Sequence, residues 1–257
     1  MLRFVVLLAC LGASLARPQK RLAGDAFAVE IDKFPYQVSV YSFGNYRCSG
    51  AIISEDYVLT SVHCAAFARD ALTVRAGSAQ LGVAGSLHNV SEIIEHDHYG
   101  SNIKRHNDVA LLRLEPKLEF DETKQPIPLT GAKVSLTEGD KGVISGWGTT
   151  GDRNLRGDIR LFAAVSVNVM SLLDCVEIYY SRFGNLSPGA LCAKNERPGG
   201  AACSVIWSAD DSGSPLVVDG KLAGIFSWGY KCDSPGFPSV FMEVAYYRDW
   251  IKKNSGV

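Results

Sequence analysis

The sequence predicts an all-β fold, a sandwich or barrel, on two observations. Short runs rich in Val, Ile, Leu and aromatic residues recur at 36–41, 51–60, 108–114, 141–147, 215–218 and 222–228. Turn residues punctuate the chain between and around them, namely Gly77, Gly82, Gly85, Gly139, Gly151, Gly157, Gly220, Pro235 and Pro238. The C-terminus alone reads as a helix, with Val244, Tyr247, Trp250 and Ile251 at three- and four-residue spacing, and is expected to pack as a lid. The polar, proline-containing stretch 115–131 divides the chain near its middle and reads as a link between two β-barrels. No internal repeat or low-complexity tract interrupts this organisation.

With 257 residues, 47% hydrophobic and 21% charged, the chain has enough apolar material for a substantial core. A formal net charge of −1 offers no basic excess for gripping phosphates, which argues against a nucleic-acid partner. At the N-terminus Arg3 precedes an apolar run over 4–11, followed by Ser14-Leu15-Ala16, the pattern of a secretory signal over 1–16. That run falls short of the ~20 residues needed to span a bilayer, and no later segment is long enough, so soluble export without a membrane anchor is expected. Residues 17–21, ending in the dibasic pair Lys20-Arg21, read as a propeptide with a cleavage site, leaving 22–257 as the mature domain.

Seven cysteines are present. Removing Cys10 with the signal leaves an even set for disulfides in an exported chain: Cys48, Cys64, Cys175, Cys192, Cys203 and Cys232. Spacing alone leaves fifteen connectivities open. There is no Cys-x-x-Cys and no Cys/His cluster at zinc spacing, so neither a metal nor a cofactor is expected. His96 and His98 flank Asp97 but read as a solvated loop, and His88 and His106, without a motif, read as surface residues. Asn89 and Asn185 open sequons compatible with secretion.

Peptide hydrolysis by serine needs a hydroxyl, a base within ~3 Å to take its proton, and a carboxylate to fix that base in the right tautomer. The sequence offers one good candidate for each. His63 stands in Leu59-Thr60-Ser61-Val62-His63-Cys64, at the end of an apolar run and beside a cysteine that would fix it. Asp108 follows Asn107 at the mouth of the apolar run Val109-Ala110-Leu111-Leu112, where burial would aim it at an imidazole. Ser212 lies in Asp211-Ser212-Gly213-Ser214-Pro215, where small residues let the backbone turn sharply and leave the hydroxyl exposed.

These three motifs, in the order His, Asp, Ser, resemble the chymotrypsin/trypsin family of serine proteases. So do Ser49-Gly50-Ala51-Ile52-Ile53, Gly146-Trp147-Gly148 and Ser227-Trp228-Gly229, and the resemblance covers nearly everything after Arg21. It implies two six-stranded antiparallel β-barrels with a short C-terminal helix and the catalytic site in the cleft between them. It also implies the pairings Cys48 to Cys64, Cys175 to Cys192 and Cys203 to Cys232. Cleavage after Arg21 would free the α-amine of Leu22 to pair with Asp211, and the backbone amides at positions 210 and 212 would form the oxyanion hole. Ala201, Ser227, Trp228, Gly229 and Ser239 would bind substrate, with the uncharged Ala201 where trypsin-like members carry an aspartate and Ser239 where the family usually has glycine. The implied partners are polypeptide substrates, an activating protease and protein inhibitors, around a monomeric enzyme.

The sequence departs from the family next to the nucleophile. Nine positions separate Cys203 from Ser212, five more than the usual pattern, and Asp210 replaces the glycine whose amide joins the oxyanion hole. An active endopeptidase favouring apolar residues before the scissile bond is the first reading. A weakly active or non-catalytic homologue serving as a binding or regulatory module is the alternative. A lipase-type hydrolase fits less well, because Ser212 lacks a Gly-x-Ser-x-Gly elbow.

Overall fold

The computed structural model describes residues 26–66, 69–100, 105–147, 162–195, 212–230 and 237–257. Six strands close a first barrel: β2 (Gln37–Ser42), β3 (Asn45–Ile52), β4 (Tyr57–Thr60), β5 (Leu72–Ala76), β6 (Ser86–Glu95) and β7 (Ala110–Glu115), joined in the order β2-β3-β4-β7-β6-β5. The second half is built from β8 (Lys141–Gly146), β9 (Phe162–Met170), β10 (Ala190–Asn195), β11 (Pro215–Val218), β12 (Lys221–Gly229) and β13 (Ser239–Glu243). Their order is β9-β10-β13-β12-β11-β8, and an additional pairing of β8 with β9 closes the ring. The short β1 (Ala26–Ala28) pairs antiparallel with the first residues of β9, at 162–164. All strand pairs within the two barrels are antiparallel, as expected.

Each barrel has its own interior. Val38, Val40, Ile52, Val58, Val74 and Leu112 fill the first, and Ile144, Val167, Leu216, Ala223, Phe226 and Phe241 fill the second. A third cluster joins residues of both, packing Ala51, Leu59 and Leu111 with Leu222, Ile225, Met242 and Val244. This shared apolar seam fixes one barrel against the other, at about 25 cal/mol per Å² of apolar surface removed from water. The seam is also tied by polar groups: the Ser145 hydroxyl donates to Gln37 Oε1 over 2.6 Å, linking β8 to β2.

Besides short helical turns, two 12-residue helices accompany the strands among the described residues. α2 (Leu172–Phe183) was not expected from the sequence; it buries Cys175 and Tyr179, one turn apart, and is stapled to β10 by the disulfide Cys175–Cys192. The C-terminal helix α3 (Val244–Ser255) lies where periodicity placed it and buries Val244, Tyr247 and Ile251. No helix among the described residues is long and apolar enough to cross a membrane.

Candidate active site

His63 is held by the local chain before any catalytic partner is considered. It sits in the single helical turn α1 (Val62–Ala65), whose other residues Val62, Cys64 and Ala65 are buried. The disulfide Cys48–Cys64 ties this turn to β3, and closing a loop of this size contributes on the order of 3 kcal/mol. The backbone N–H of His63 donates to Asp108 Oδ1 at 3.0 Å, and His63 Nδ1 lies 2.6 Å from Asp108 Oδ2. One carboxylate therefore fixes both the main chain and the ring of the candidate base.

Asp108 is fully buried and receives a third bond, from the Ser227 hydroxyl to Oδ2 at 2.5 Å. Ser227, a candidate substrate-binding residue, points its side chain at the aspartate and brings β12 of the second barrel onto the carboxylate of the first. The approach to Asp108 is equally constrained. Asn107 adopts a left-handed backbone (φ 52°), donates its side-chain N–H to the His98 carbonyl, receives the Tyr247 hydroxyl on Oδ1, and bonds Ser187 Oγ through its own amide. Burial pushes the Tyr247 phenol well above its ordinary range, so it remains a donor at every working pH. The lid-like α3 thus braces the loop that presents Asp108.

Ser212 reaches the same seam from the other barrel. Its carbonyl accepts the Ser49 N–H at 2.8 Å, the Gly213 N–H donates to the Phe226 carbonyl, and the Phe226 N–H donates to the Ser214 carbonyl. Gly213 is required there: φ is +82°, and a Cβ would stand 2.1 Å from the Ser49 carbonyl oxygen. Ser212 is buried, only 2% exposed as a residue, in contrast to the exposed position that its small neighbours suggest, and its main chain is bonded to Ser49. The remaining expected contact, His63 Nε2 to Ser212 Oγ, is not made; Nε2 is buried without a hydrogen-bond partner. Base–nucleophile bonds are commonly long until substrate arrives, and a buried unpaired nitrogen here is an acceptor held in reserve.

The remaining sequence-derived positions divide between described and undescribed residues. Gly229 and Ser239 face each other across the β12–β13 ladder, with Ser239 Oγ 3.8 Å from where a Cβ on residue 229 would lie. Trp228 packs edge-on against Tyr179 of α2, with ring centroids 4.8 Å apart. Arg21, Leu22, Ala201, Cys203, Asp210, Asp211 and Cys232 lie outside the described residues.

Among the histidines set aside at the sequence level, His88 and His106 are buried, contrary to their reading as surface residues. His88 faces inward because both ring nitrogens find partners, the Pro116 carbonyl and Ser86 Oγ, each at 2.7 Å. His96 is partly covered by Tyr247 and Trp250 rather than fully solvated, and that burial lowers its pKa. The residues that sequence reasoning missed are Asn107, Tyr247 and the Ser227 hydroxyl as supports of Asp108. Asn107, before the aspartate, and Ser227, in Ser227-Trp228-Gly229, stand within motifs that the sequence singles out, whereas Tyr247 is marked there only by its helical spacing.

A family model described as Trypsin matches residues 25–251. Among curated proteins, Trypsin 5G1 of Aedes aegypti is 35% identical, covering 94% of this chain and 87% of its own length. Hypodermin-B of Hypoderma lineatum is 35% identical over 99% of both chains, and trypsin alpha of Drosophila melanogaster 32% identical over 98% of this chain and 97% of its own. Among solved structures, neuropsin, a serine protease expressed in the limbic system of mouse brain, superposes with a TM-score of 0.75 at 28% identity, covering 90% of this chain and 98% of its own. With two closed antiparallel barrels and a family match over almost the whole described chain, the protein belongs to the trypsin family, the chymotrypsin-like serine endopeptidases.

Proposed function

We propose that the protein is a secreted endopeptidase made as a zymogen, with Ser212 as nucleophile, His63 as general base and Asp108 as the group that orients His63. The observation carrying this reading is the double hold of Asp108 on His63, through the backbone N–H and through Nδ1. With Nδ1–H facing the carboxylate, Nε2 keeps its lone pair for the Ser212 proton. Ser212 Oγ attacks the scissile carbonyl, His63 passes the proton to the departing amine, and water then hydrolyses the acyl-enzyme by the same route. The backbone amides of Asp210 and Ser212 receive the developing oxyanion. A signal over 1–16 and a propeptide over 17–21 precede the enzyme, and cleavage after Arg21 lets the Leu22 amine pair with Asp211.

The direct test is labelling by a serine-reactive phosphonate. Protein cleaved after Arg21 is expected to label stoichiometrically, and a Ser212→Ala variant not at all. Uncut protein is expected to label at least about tenfold more slowly, because a carboxylate that loses its amine partner on leaving water is costly, and without the Leu22 amine the site would be poorly formed. Equal labelling of cut and uncut protein contradicts the zymogen reading.

The specificity follows from the residues assigned to the pocket. Ala201 gives an uncharged floor and Ser239 narrows the base, so a substrate Arg or Lys would be desolvated without a partner. Cleavage after Phe, Tyr, Leu or Met is expected to exceed cleavage after Arg by at least about tenfold in kcat/KM. Matched peptides ending in Phe, Leu, Ala and Arg measure this, and a preference for Arg would mean that a different residue forms the floor.

A second reading is favoured by one pair of observations, the enclosed Ser212 and the unbonded His63 Nε2. In it the chain keeps the fold as a binding or regulatory module without efficient hydrolysis. Absence of phosphonate labelling after Arg21 cleavage is the outcome that selects it.

A further inference from the structure

Arg105 stands three residues before Asp108, on the loop that enters β7, and it is half-buried. Its backbone is left-handed (φ 63°), as is that of Asn107. Two non-glycine residues so close together in this region carry strain, and such strain is kept where surrounding contacts enforce it; here Asn107 supplies three of them. The consequence is the placement of one guanidinium. Arg105 Nη1 donates at 2.7 Å to the carbonyl oxygen of Ser227, the residue whose hydroxyl bonds Asp108.

That carbonyl is a strand acceptor served by a side chain. The β11–β12 ladder ends at Pro215 opposite Ile225, and the Gly213 and Ser214 main chain extends it only to Phe226. The register with β13 skips between Phe226 and Trp228, so Ser227 has no facing residue there. An extended peptide laid against this part of β12, next to the candidate nucleophile, would find the Ser227 oxygen already taken by a cation. Among the described residues Arg105 forms no ion pair. Asp108 is no counter-ion for it, being buried with three donors of its own. Tyr99 senses both groups: after burial, the Asp108 charge raises its pKa and the Arg105 charge lowers it.

We propose that Arg105 is a specificity-determining residue that selects polypeptide substrates carrying an Asp or Glu side chain where they lie along β12. A substrate backbone that takes the Ser227 oxygen displaces the guanidinium. The five-donor fork then needs a new acceptor, and a carboxylate meets it with two parallel bonds. A neutral substrate gives no such return, and a basic one adds repulsion. The order of preference is therefore acidic over neutral over basic.

This inference rests on the endopeptidase reading, and its test separates the two. Peptides with Phe before the scissile bond carry Glu, Gln or Lys at each of the next three positions toward the N-terminus, and kcat/KM is measured for the Arg21-cleaved enzyme. At one position Glu is expected to exceed Gln roughly five- to tenfold, a ratio that shrinks with added salt. Arg105→Ala is expected to bring the Glu:Gln ratio within about twofold, and Arg105→Glu to invert it toward Lys. Each ratio is taken within one variant, so a change in overall rate does not affect it. The same peptides bound to a Ser212→Ala protein give the ratio as dissociation constants, which keeps the test open if hydrolysis is slow or absent. A wild-type ratio near one at all three positions, or a ratio unchanged by Arg105→Ala, overturns the role of Arg105 and leaves the endopeptidase reading standing. Loss of phosphonate labelling overturns the latter alone.

Discussion

Replacement of Asp108 by asparagine is expected to lower kcat by about 10⁴-fold, the general scale for a base held in the wrong tautomer, while the fold survives. The two carboxylate oxygens serve three donors: Oδ1 receives the His63 backbone N–H, and Oδ2 receives the Ser227 hydroxyl and faces His63 Nδ1. A carboxamide offers one oxygen and one NH₂. If its oxygen stays on the His63 backbone, its NH₂ faces Nδ1, the imidazole carries its proton on Nε2, and it cannot accept one from Ser212. If the amide flips, a buried NH₂ opposes the His63 N–H, at a cost of about 1–3 kcal/mol for the donor left unpaired. Either orientation disables the base or displaces it. Single-turnover hydrolysis measures the loss, and near-ultraviolet circular dichroism reports whether the packing is kept. A loss below tenfold in a folded variant would mean that Asp108 does not orient the base.

The contacts around Asp108 also show where sequence reasoning reaches and where it stops. Runs with local signatures were legible: 215–218 is β11 to the residue, and 222–228 lies within β12 (Lys221–Gly229). The run 51–60 was read as one piece but is the end of β3, a turn and β4. Ser54 turns the chain by accepting the Asp56 and Tyr57 N–H groups on its hydroxyl, a bond pattern that apolar content does not reveal. Helix α2 was missed because its apolar residues do not keep to one face: Leu173 is 82% exposed and Leu172 and Tyr180 are exposed as well, which blurs the spacing of Cys175 and Tyr179. β6 was missed for the opposite reason, since Ser86, His88, Asn89, Ser91 and Glu92 dilute its alternation.

The candidate triad was legible because each member carries a motif, and motifs are local. The supports of the site are not. Ser227 reaches Asp108 across 119 positions, Tyr247 reaches Asn107 across 140, and Arg105 reaches Ser227 across 122. These contacts exist only once two barrels share a seam, so no window along the chain contains both partners. The burial of Ser212 has the same ground: small neighbours permit a sharp turn, and that turn is then bonded to Ser49 of the first barrel and, through Gly213 and Ser214, to Phe226.

The tight packing of this turn makes Gly213 a sensitive backbone position beside the candidate nucleophile, and Gly213→Ala is expected to lower kcat/KM by about 10²-fold or more. A methyl at residue 213 would stand 2.1 Å from the Ser49 carbonyl oxygen and 2.4 Å from Thr60 Oγ1. Neither atom can yield cheaply, because the Thr60 hydroxyl donates to that same Ser49 oxygen at 2.8 Å while the Ser49 N–H holds the Ser212 carbonyl. The nucleophile loop must therefore move, and a shift of ~1 Å at the reacting group is worth about a hundredfold. The left-handed backbone adds roughly 1–2 kcal/mol of strain to the folded state. Gly220→Ala separates the two effects. Gly220 has a similar φ of +71°, but nothing lies within 4 Å of where its Cβ would be. Both variants should melt at lower temperature than the parent, whereas only Gly213→Ala should lose activity at temperatures where it remains folded. Equal kcat/KM for the two folded variants would show that the Ser49 contact does not set the position of Ser212.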